Sequence, residues 1–182
     1  MERVLSEKEI VDVCEKIGAE LTKKFKGGEP IVACVLKGAC PFHNELIKHI
    51  KLPILVDYIR MSSYNGGFET SGNVKMKKDF EYDITGRDVI IVEDIIDSGL
   101  TMSTLKPILE SRNPKSITFV TMLDKPSRRK VEFKADYVGK TIDDLFVLGF
   151  GLDVDEKYRN LRNVYTFDPN YNYFEWFKFW VW

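Results

Sequence analysis

The sequence is poor in the residues that staple or metallate small proteins. Its 182 residues include three cysteines, Cys14, Cys34 and Cys40, and two histidines, His43 and His49. An odd cysteine count without a Cys-x-x-Cys pair argues against a disulfide framework and a zinc site, and reads as free thiols in a reducing cytosol. Cys40 and His43 are close enough to share a metal, but no second ligand pair completes a set, so both histidines read as structural or solvent-facing. Missing too is any apolar run near the roughly 20 residues that span a bilayer. The N-terminal MERVLSEKEI has no signal-peptide apolar stretch. A cytoplasmic location and no membrane partner are expected. Nor is charge of one sign in excess: 27 Lys and Arg face 28 Asp and Glu, a formal net charge of -1. The broad positive field that grips nucleic acid is absent at whole-chain level, and no nucleic-acid partner is expected.

What is present suits one globular domain over 1–182, with 44% hydrophobic and 30% charged residues. Ser6-Glu7-Lys8-Glu9 reads as a capping box, followed at helical spacing by Ile10, Cys14, Ile17, Leu21 and Phe25. Gly27-Gly28 stops that helix. Continuous apolar, β-branched runs at Ile31 to Leu36, Val89 to Val92 and Ile117 to Leu123 read as buried strands. Further strands are expected at Ile54 to Ile59, Val74 to Tyr82, around Tyr137 and from Leu145 to Phe150. Helices are expected from Pro41 to about Ile50 and from the Thr101 region to about Ser111, with a kink or early end at Pro107. The glycine-rich Ser62 to Gly72 reads as a hairpin or mobile loop. Strands alternating with helices argue for an α/β fold, a mostly parallel twisted sheet flanked by helices. In such sheets ligands sit beyond the carboxyl ends of the strands.

The informative segment is VIIVEDIIDSGLT, Val89 to Thr101. A buried strand ends in two carboxylates, Glu93 and Asp94. A third, Asp97, opens a loop of small residues that leads into a helix. Asp, Ser, Gly and Thr at a helix N-terminus present N–H groups to an anion, and the hydroxyls of Ser98 and Thr101 add donors. Three carboxylates beside a phosphate cradle would repel the ligand unless a divalent cation or ribose hydroxyls intervene. Mg²⁺ uses few protein carboxylates and many ligand oxygens. Any one of these carboxylates could simply cap a helix; the whole arrangement on one strong strand is much harder to explain so.

This segment resembles the diphosphate-ribose signature of type I phosphoribosyltransferases, and further matches narrow the resemblance to the hypoxanthine-guanine branch. Leu36-Lys37-Gly38 resembles that branch's pyrophosphate loop, and Ser63-Tyr64 the start of its mobile lid. Lys125 matches the lysine that reads a 6-oxo group. Phe146-Val147 matches the stacking aromatic and its neighbour. Leu152-Asp153 and Arg159 match the late metal-site aspartate and the pyrophosphate-binding arginine. The resemblance spans roughly residues 5 to 165. It implies a small hood built from the N-terminal residues and roughly 140–182, a mobile hairpin lid, Mg²⁺ as cofactor, and a homodimer or homotetramer. It also implies a role for each matched position. Asp97 is the general base or acid at purine N7. Lys37, Gly38, Ser63, Tyr64, Glu93, Asp94, the Asp97-Ser98-Gly99-Leu100-Thr101 cradle and Arg159 bind phosphoribosyl diphosphate. Ile95, Lys125, Phe146, Val147, Leu152 and Asp153 face the purine. Glu93, Asp94 and Asp153 serve the metal.

The implied activity is purine salvage, making IMP or GMP and pyrophosphate. A lysine donating to O6 disfavours adenine but does not separate xanthine from guanine. A xanthine-preferring enzyme and a non-catalytic nucleotide-sensing regulator on the same scaffold are the alternatives. The near-neutral charge and short N-terminus speak against the regulator. Val154 stands where the family often has an aromatic residue. The tail from Asn170, with Trp176, Phe177, Phe179, Trp180 and Trp182, has no counterpart in the resemblance and reads as a packing or subunit surface.

Overall fold

The computed structural model describes residues 2–63 and 74–168. The first strand, β1 (Arg3–Leu5), leads into α1 (Glu7–Lys24). That helix starts where the sequence places it. The Ser6 hydroxyl accepts from the Glu9 N–H, and the Glu9 carboxylate accepts from the Ser6 N–H at 2.7 Å. Ile10, Cys14, Ile17 and Leu21 form its buried stripe.

The next elements are β2 (Ile31–Val35), α2 (Cys40–Lys48), β3 (Leu55–Ser63), β4 (Val74–Lys78), β5 (Asp88–Ile96), α3 (Leu100–Glu110), β6 (Ser116–Asp124) and β7 (Tyr137–Thr141). They build a six-stranded sheet in the order β4-β3-β2-β5-β6-β7. All pairings are parallel except β3 with β4. The two faces of the sheet sort by alternate residues, as the pleat requires. Val32, Ile90, Val92, Val120 and Met122 face α1 and α2. Ile31, Ala33, Val35, Val89, Ile91 and Phe119 face α3 with Met102, Leu105 and Leu109. Burial on both faces explains why these strands read as unbroken apolar runs.

A separate antiparallel sheet joins β1 with β8 (Val147–Leu148) and β9 (Val164–Thr166), in the order β1-β9-β8. It ties the N-terminus to the late part of the chain.

Several boundaries differ from expectation, each for a physical reason. β5 does not stop at Val92. Its ladder with β6 continues through Glu93, Ile95 and Ile96, so the carboxylate pair sits on the strand itself. β3 runs past the end of β2 because β4 pairs with it up to Ser63. β4 ends at Lys78, short of Tyr82, because the N–H groups of Glu81 and Tyr82 donate to Asp57 at 2.8 and 3.2 Å instead of to a neighbouring strand. The expected strand from Leu145 to Phe150 shrinks to two residues, since Gly149, Phe150 and Gly151 all take positive φ and turn the chain. α3 runs through Pro107 to Glu110. Most of the Ser62 to Gly72 loop and the aromatic tail fall outside the described residues.

The thiols read as the sequence suggests. All three are free. Burial pushes Cys14 up to about 12, and burial with Cys40 nearby pushes Cys34 higher still.

Candidate active site

The strand order reverses between β2 and β5: the chain steps outward to β3 after β2, then returns to β2's other side. At such a switch point the loops leaving adjacent strands part and leave a crevice. Here those loops are Lys37-Gly38 and Asp97 to Thr101. Between them lies a cavity of about 240 Å³, lined by Lys37, Gly38, Glu93, Asp94, Asp97 and Thr101 among others.

The loop after β2 is tightly built. The Leu36 N–H donates to Ile59 O at 2.8 Å, and the Leu36–Lys37 peptide is cis. Gly38 faces Asp94 so closely that an added Cβ would stand 1.5 Å from the carboxylate Oδ2. Any side chain there would have to displace that carboxylate. The Gly38 carbonyl in turn abuts Gly151, where an added Cβ would stand 1.9 Å away. One glycine thus packs the loop on β5, and the other packs the late turn on the loop.

On β5, Glu93 and Asp94 are half-buried. The Asp94 N–H donates to Glu93 Oε1 at 3.2 Å, and the Ile95 N–H to Asp94 Oδ1 at 2.7 Å. Burial, then the charge of Asp94, raises the Glu93 pKa well above the usual carboxylate range. Burial also raises Asp94, against the pull of its hydrogen bonds and of Arg159. Two neighbouring carboxylates in this state favour a ligand that brings positive charge or hydroxyl donors.

Asp97 is exposed, and its Oδ1 accepts from the Ser98 N–H. Ser98 Oγ accepts from the Leu100 N–H at 3.4 Å. Gly99 caps α3 with φ of 80°, a conformation that suits glycine. Leu100 and Thr101 open the helix, and Gly99 and Thr101 line the cavity, so a helix N-terminus meets it, the usual architecture of an anion cradle.

The residues expected to face the base lie at the end of β6 and in the turns beyond it. Lys125 is 7% exposed, its N–H bonded to Ile96 O at 2.9 Å and its Nζ to Leu145 O. Burial lowers its pKa, partly offset by the charges of Asp144 and Asp97. Phe146 is 55% exposed and its ring lies 5.4 Å from Phe167 at a tilt of 59°. An exposed aromatic held on one side by another ring is a ready stacking surface. Val147 and Leu152 are buried, while Ile95 is half-buried beside the cavity. Lys125, Phe146, Val147, Leu152, Asp153 and Arg159 lie outside the lining of the 240 Å³ cavity.

The late turn holds its own charges. Arg159 pairs with Asp153 at 2.9 Å and with Glu156 at 3.2 Å, and donates to Gly151 O at 2.7 Å. Its Nε is buried without a hydrogen-bond partner among the described residues. Lys37 Nζ also reaches Glu156, at 2.8 Å. Lys37 and Arg159 together hold the Glu156 carboxyl below its usual range. The two cations expected to meet pyrophosphate therefore share one carboxylate, which the sequence reading did not single out. It also passed over Asp124 and Arg129, which bracket Lys125. Glu93, Asp94 and Asp153 are not drawn together: among the described residues no three His, Cys, Asp or Glu side chains converge on a metal point. Ser63 ends β3, and Tyr64 falls outside the described residues.

A crevice at the sheet's switch point, two acidic strand residues and a helix-capping phosphate cradle define a class. The phosphoribosyl transferase domain model matches residues 1–155, and the chain belongs to that family. Within it, the chain is 48% identical over 170 residues to the hypoxanthine-guanine phosphoribosyltransferase of Bacillus subtilis, covering 93% of this chain and 94% of the relative. It is 43% identical over 168 residues to that of Staphylococcus aureus, with 92% and 94% covered. The crystal structure of a hypoxanthine phosphoribosyltransferase from Staphylococcus aureus superposes with a TM-score of 0.89 at 42% identity, over 94% of this chain and 95% of the other. That of a hypoxanthine-guanine phosphoribosyltransferase from Bacillus anthracis, with a HEPES molecule in its active site, gives 0.88 at 43%, over 92% and 99%. No described helix is long and apolar enough to cross a membrane.

Proposed function

We propose that this protein salvages purines: it transfers the 5-phosphoribosyl group from phosphoribosyl diphosphate to hypoxanthine or guanine, giving IMP or GMP and pyrophosphate. The observation that carries the reading is the buried Lys125. Its N–H is tied to the strand that bears Glu93 and Asp94, and it feels the charge of Asp97. A donor fixed beside a carboxylate suits the N7 and O6 edge of a 6-oxopurine and faces adenine's 6-amino group with another donor.

In this reading Ser98 to Thr101 hold the 5′-phosphate, and Glu93 and Asp94 take the ribose hydroxyls. Phe146 stacks on the base, with Ile95, Val147, Leu152 and Asp153 around it. Asp97 manages the proton at N7. Lys37 and Arg159 meet the leaving pyrophosphate, whose developing charge fixed cations stabilise. To do so they must release Glu156. Ser63 and Tyr64 start a lid that excludes water from the oxocarbenium-like transition state. The three-stranded β1-β9-β8 sheet serves as the hood.

Mg²⁺ fits the donors present. Glu93 and Asp94 are adjacent hard oxygen donors, and a cation content with one or two carboxylates completes its shell from substrate oxygens and water. Bound there, Mg²⁺ would supply the positive charge that lets a polyphosphate approach them. The protein works in the cytoplasm as a homodimer or homotetramer, which light scattering of the purified chain would test.

The direct experiment is initial rates with phosphoribosyl diphosphate, Mg²⁺ and each of hypoxanthine, guanine, xanthine, adenine and uracil. Turnover of 6-oxopurines with adenine and uracil idle is expected, and comparable rates on adenine would defeat the role of Lys125. A folded protein that binds the diphosphate sugar and turns over no base would be a regulator instead.

A further inference from the structure

Arg129 has no role in the reading above, yet its guanidinium touches both halves of the site. Only 17% of its side chain is exposed. Nη1 donates to the carbonyls of Ile96, at 2.7 Å, and of Asp97, and lies 3.4 Å from Lys125 O. Nη2 pairs with the Asp124 carboxylate, itself nearly buried. Nε donates to Phe133 O at 3.1 Å. The Arg129 stem also backs the cradle, its Cδ standing 3.3 Å from where a Gly99 Cβ would be. The next residue repeats the tie, the Lys130 N–H donating to Ser98 O at 3.0 Å.

One planar fork therefore binds the backbone on either side of the Ile96–Asp97 peptide and, through Asp124 and Lys125 O, the turn that carries Lys125. N7 and O6 are neighbours on one edge of a 6-oxopurine. Groups that address both must keep a fixed spacing, and an error near 1 Å in such a constellation can lower a rate about a hundredfold. Two loops from different strands have no covalent reason to hold that spacing. A guanidinium with donors in rigid, divergent directions supplies one; a lysine ammonium, a single point of charge, cannot reach the same acceptors together.

We propose that Arg129 is a positioning residue that locks the cradle loop at Ile96 and Asp97 to the base-reading turn at Asp124 and Lys125, and so sets both the rate and the preference for 6-oxopurines. The inference rests on the roles given above to Asp97 and Lys125.

The test compares R129Q, R129K and D124N with D97N and K125M, using folded enzyme checked by circular dichroism and melting. With R129Q, kcat on hypoxanthine should fall and the KM for the base rise, each by about tenfold or more. The hypoxanthine-to-adenine ratio of kcat/KM should drop by about tenfold or more. Binding of phosphoribosyl diphosphate with Mg²⁺, measured by calorimetry, should stay within about threefold, since the cradle donors themselves are intact. R129K should not restore the ratio, and D124N should move it in the same direction by less. A purely structural arginine would lower only the folded fraction and leave the ratio untouched, and that result overturns the proposal. So does R129K behaving like the wild type. If R129Q does not fold, the ratio in R129K and D124N decides, and an unchanged ratio in both overturns the proposal. If D97N and K125M prove silent, the site reading fails and takes this inference with it. If they impair catalysis while the Arg129 variants keep rate and ratio, the inference alone fails.

Discussion

At the scale of single residues, the proposed reaction turns on the charge of Asp97. It is exposed at the mouth of the cavity, and the only described hydrogen bond of its carboxylate is from the adjacent Ser98 N–H. Replacing it with Asn keeps the size and one acceptor but removes the carboxylate proposed to handle the N7 proton. Turnover should fall by about 10²–10⁴-fold, the usual worth of positioned proton transfer, with phosphoribosyl diphosphate affinity little changed. Steady-state rates beside calorimetric binding check both halves, and near-full turnover would show that another group moves the proton. His43 makes the opposite case, a titratable residue with a structural task. It is fully buried, with Nε2 3.3 Å from Val32 O and Nδ1 3.4 Å from Asn44 Oδ1. Burial lowers its pKa despite those contacts. The unfolded chain therefore takes up this proton near pH 6.5, while the folded one resists until lower pH. The stability it confers is whole above that pH and is lost as pH falls through the folded value. Urea titrations should show the acid-side loss flattened in His43→Gln; an unchanged slope would place the acid sensitivity elsewhere.

At the scale of elements, the strongest local signals were legible. The Ser6–Glu9 box forms as read, and Ser6→Ala should cost about 1 kcal/mol, measurable by denaturant unfolding. The apolar runs at β2, β5 and β6 were legible because burial on both faces leaves no alternation to confuse them. What the sequence hid was non-local. Glu93 and Asp94 look like the end of a strand until β6 extends the ladder beneath them. β4 looks longer until Asp57, 24 and 25 residues back, captures the N–H groups of Glu81 and Tyr82. The candidate phosphate cradle was readable because its proposed donors are consecutive. Glu156 and Arg129 were not, because a charged side chain does not announce which distant partner it will meet. Gly38 lies between these cases. Its glycine reads as a turn, but its real constraint is the Asp94 carboxylate against it. Gly38→Ala should therefore push Asp94 away and raise the KM for phosphoribosyl diphosphate by tenfold or more, given what a displacement near 1 Å can do. An unaffected KM would mean that the loop shifts freely.

At the scale of the molecule, a sheet covered on both faces provides the stability that the site works against. The crevice holds two half-buried carboxylates whose pKa values are raised by burial and, at Glu93, by its neighbour. Across it, two cations are satisfied by Glu156 in place of a substrate. In the proposed reading the free protein thus carries a crowded carboxylate pair at the ribose end and an internal counter-ion at the pyrophosphate end. Phosphoribosyl diphosphate alone brings phosphate charge toward Glu93 and Asp94, and a divalent cation alone meets two carboxylates with no third protein ligand among the described residues. Only the two together relieve both ends. At about 100 times the dissociation constant, a ligand specific to the folded state adds about 2.7 kcal/mol. For a chain of this size that is about 5–10 °C in melting temperature. Thermal melts should show that rise with phosphoribosyl diphosphate and Mg²⁺ together and much smaller shifts with either alone. The combined shift should shrink when Glu93 is changed to Gln, since one of the two oxygen donors is lost. An equal rise with the sugar diphosphate in EDTA would mean that the cradle and cations bind it unaided, and that the carboxylate pair meets only the ribose hydroxyls.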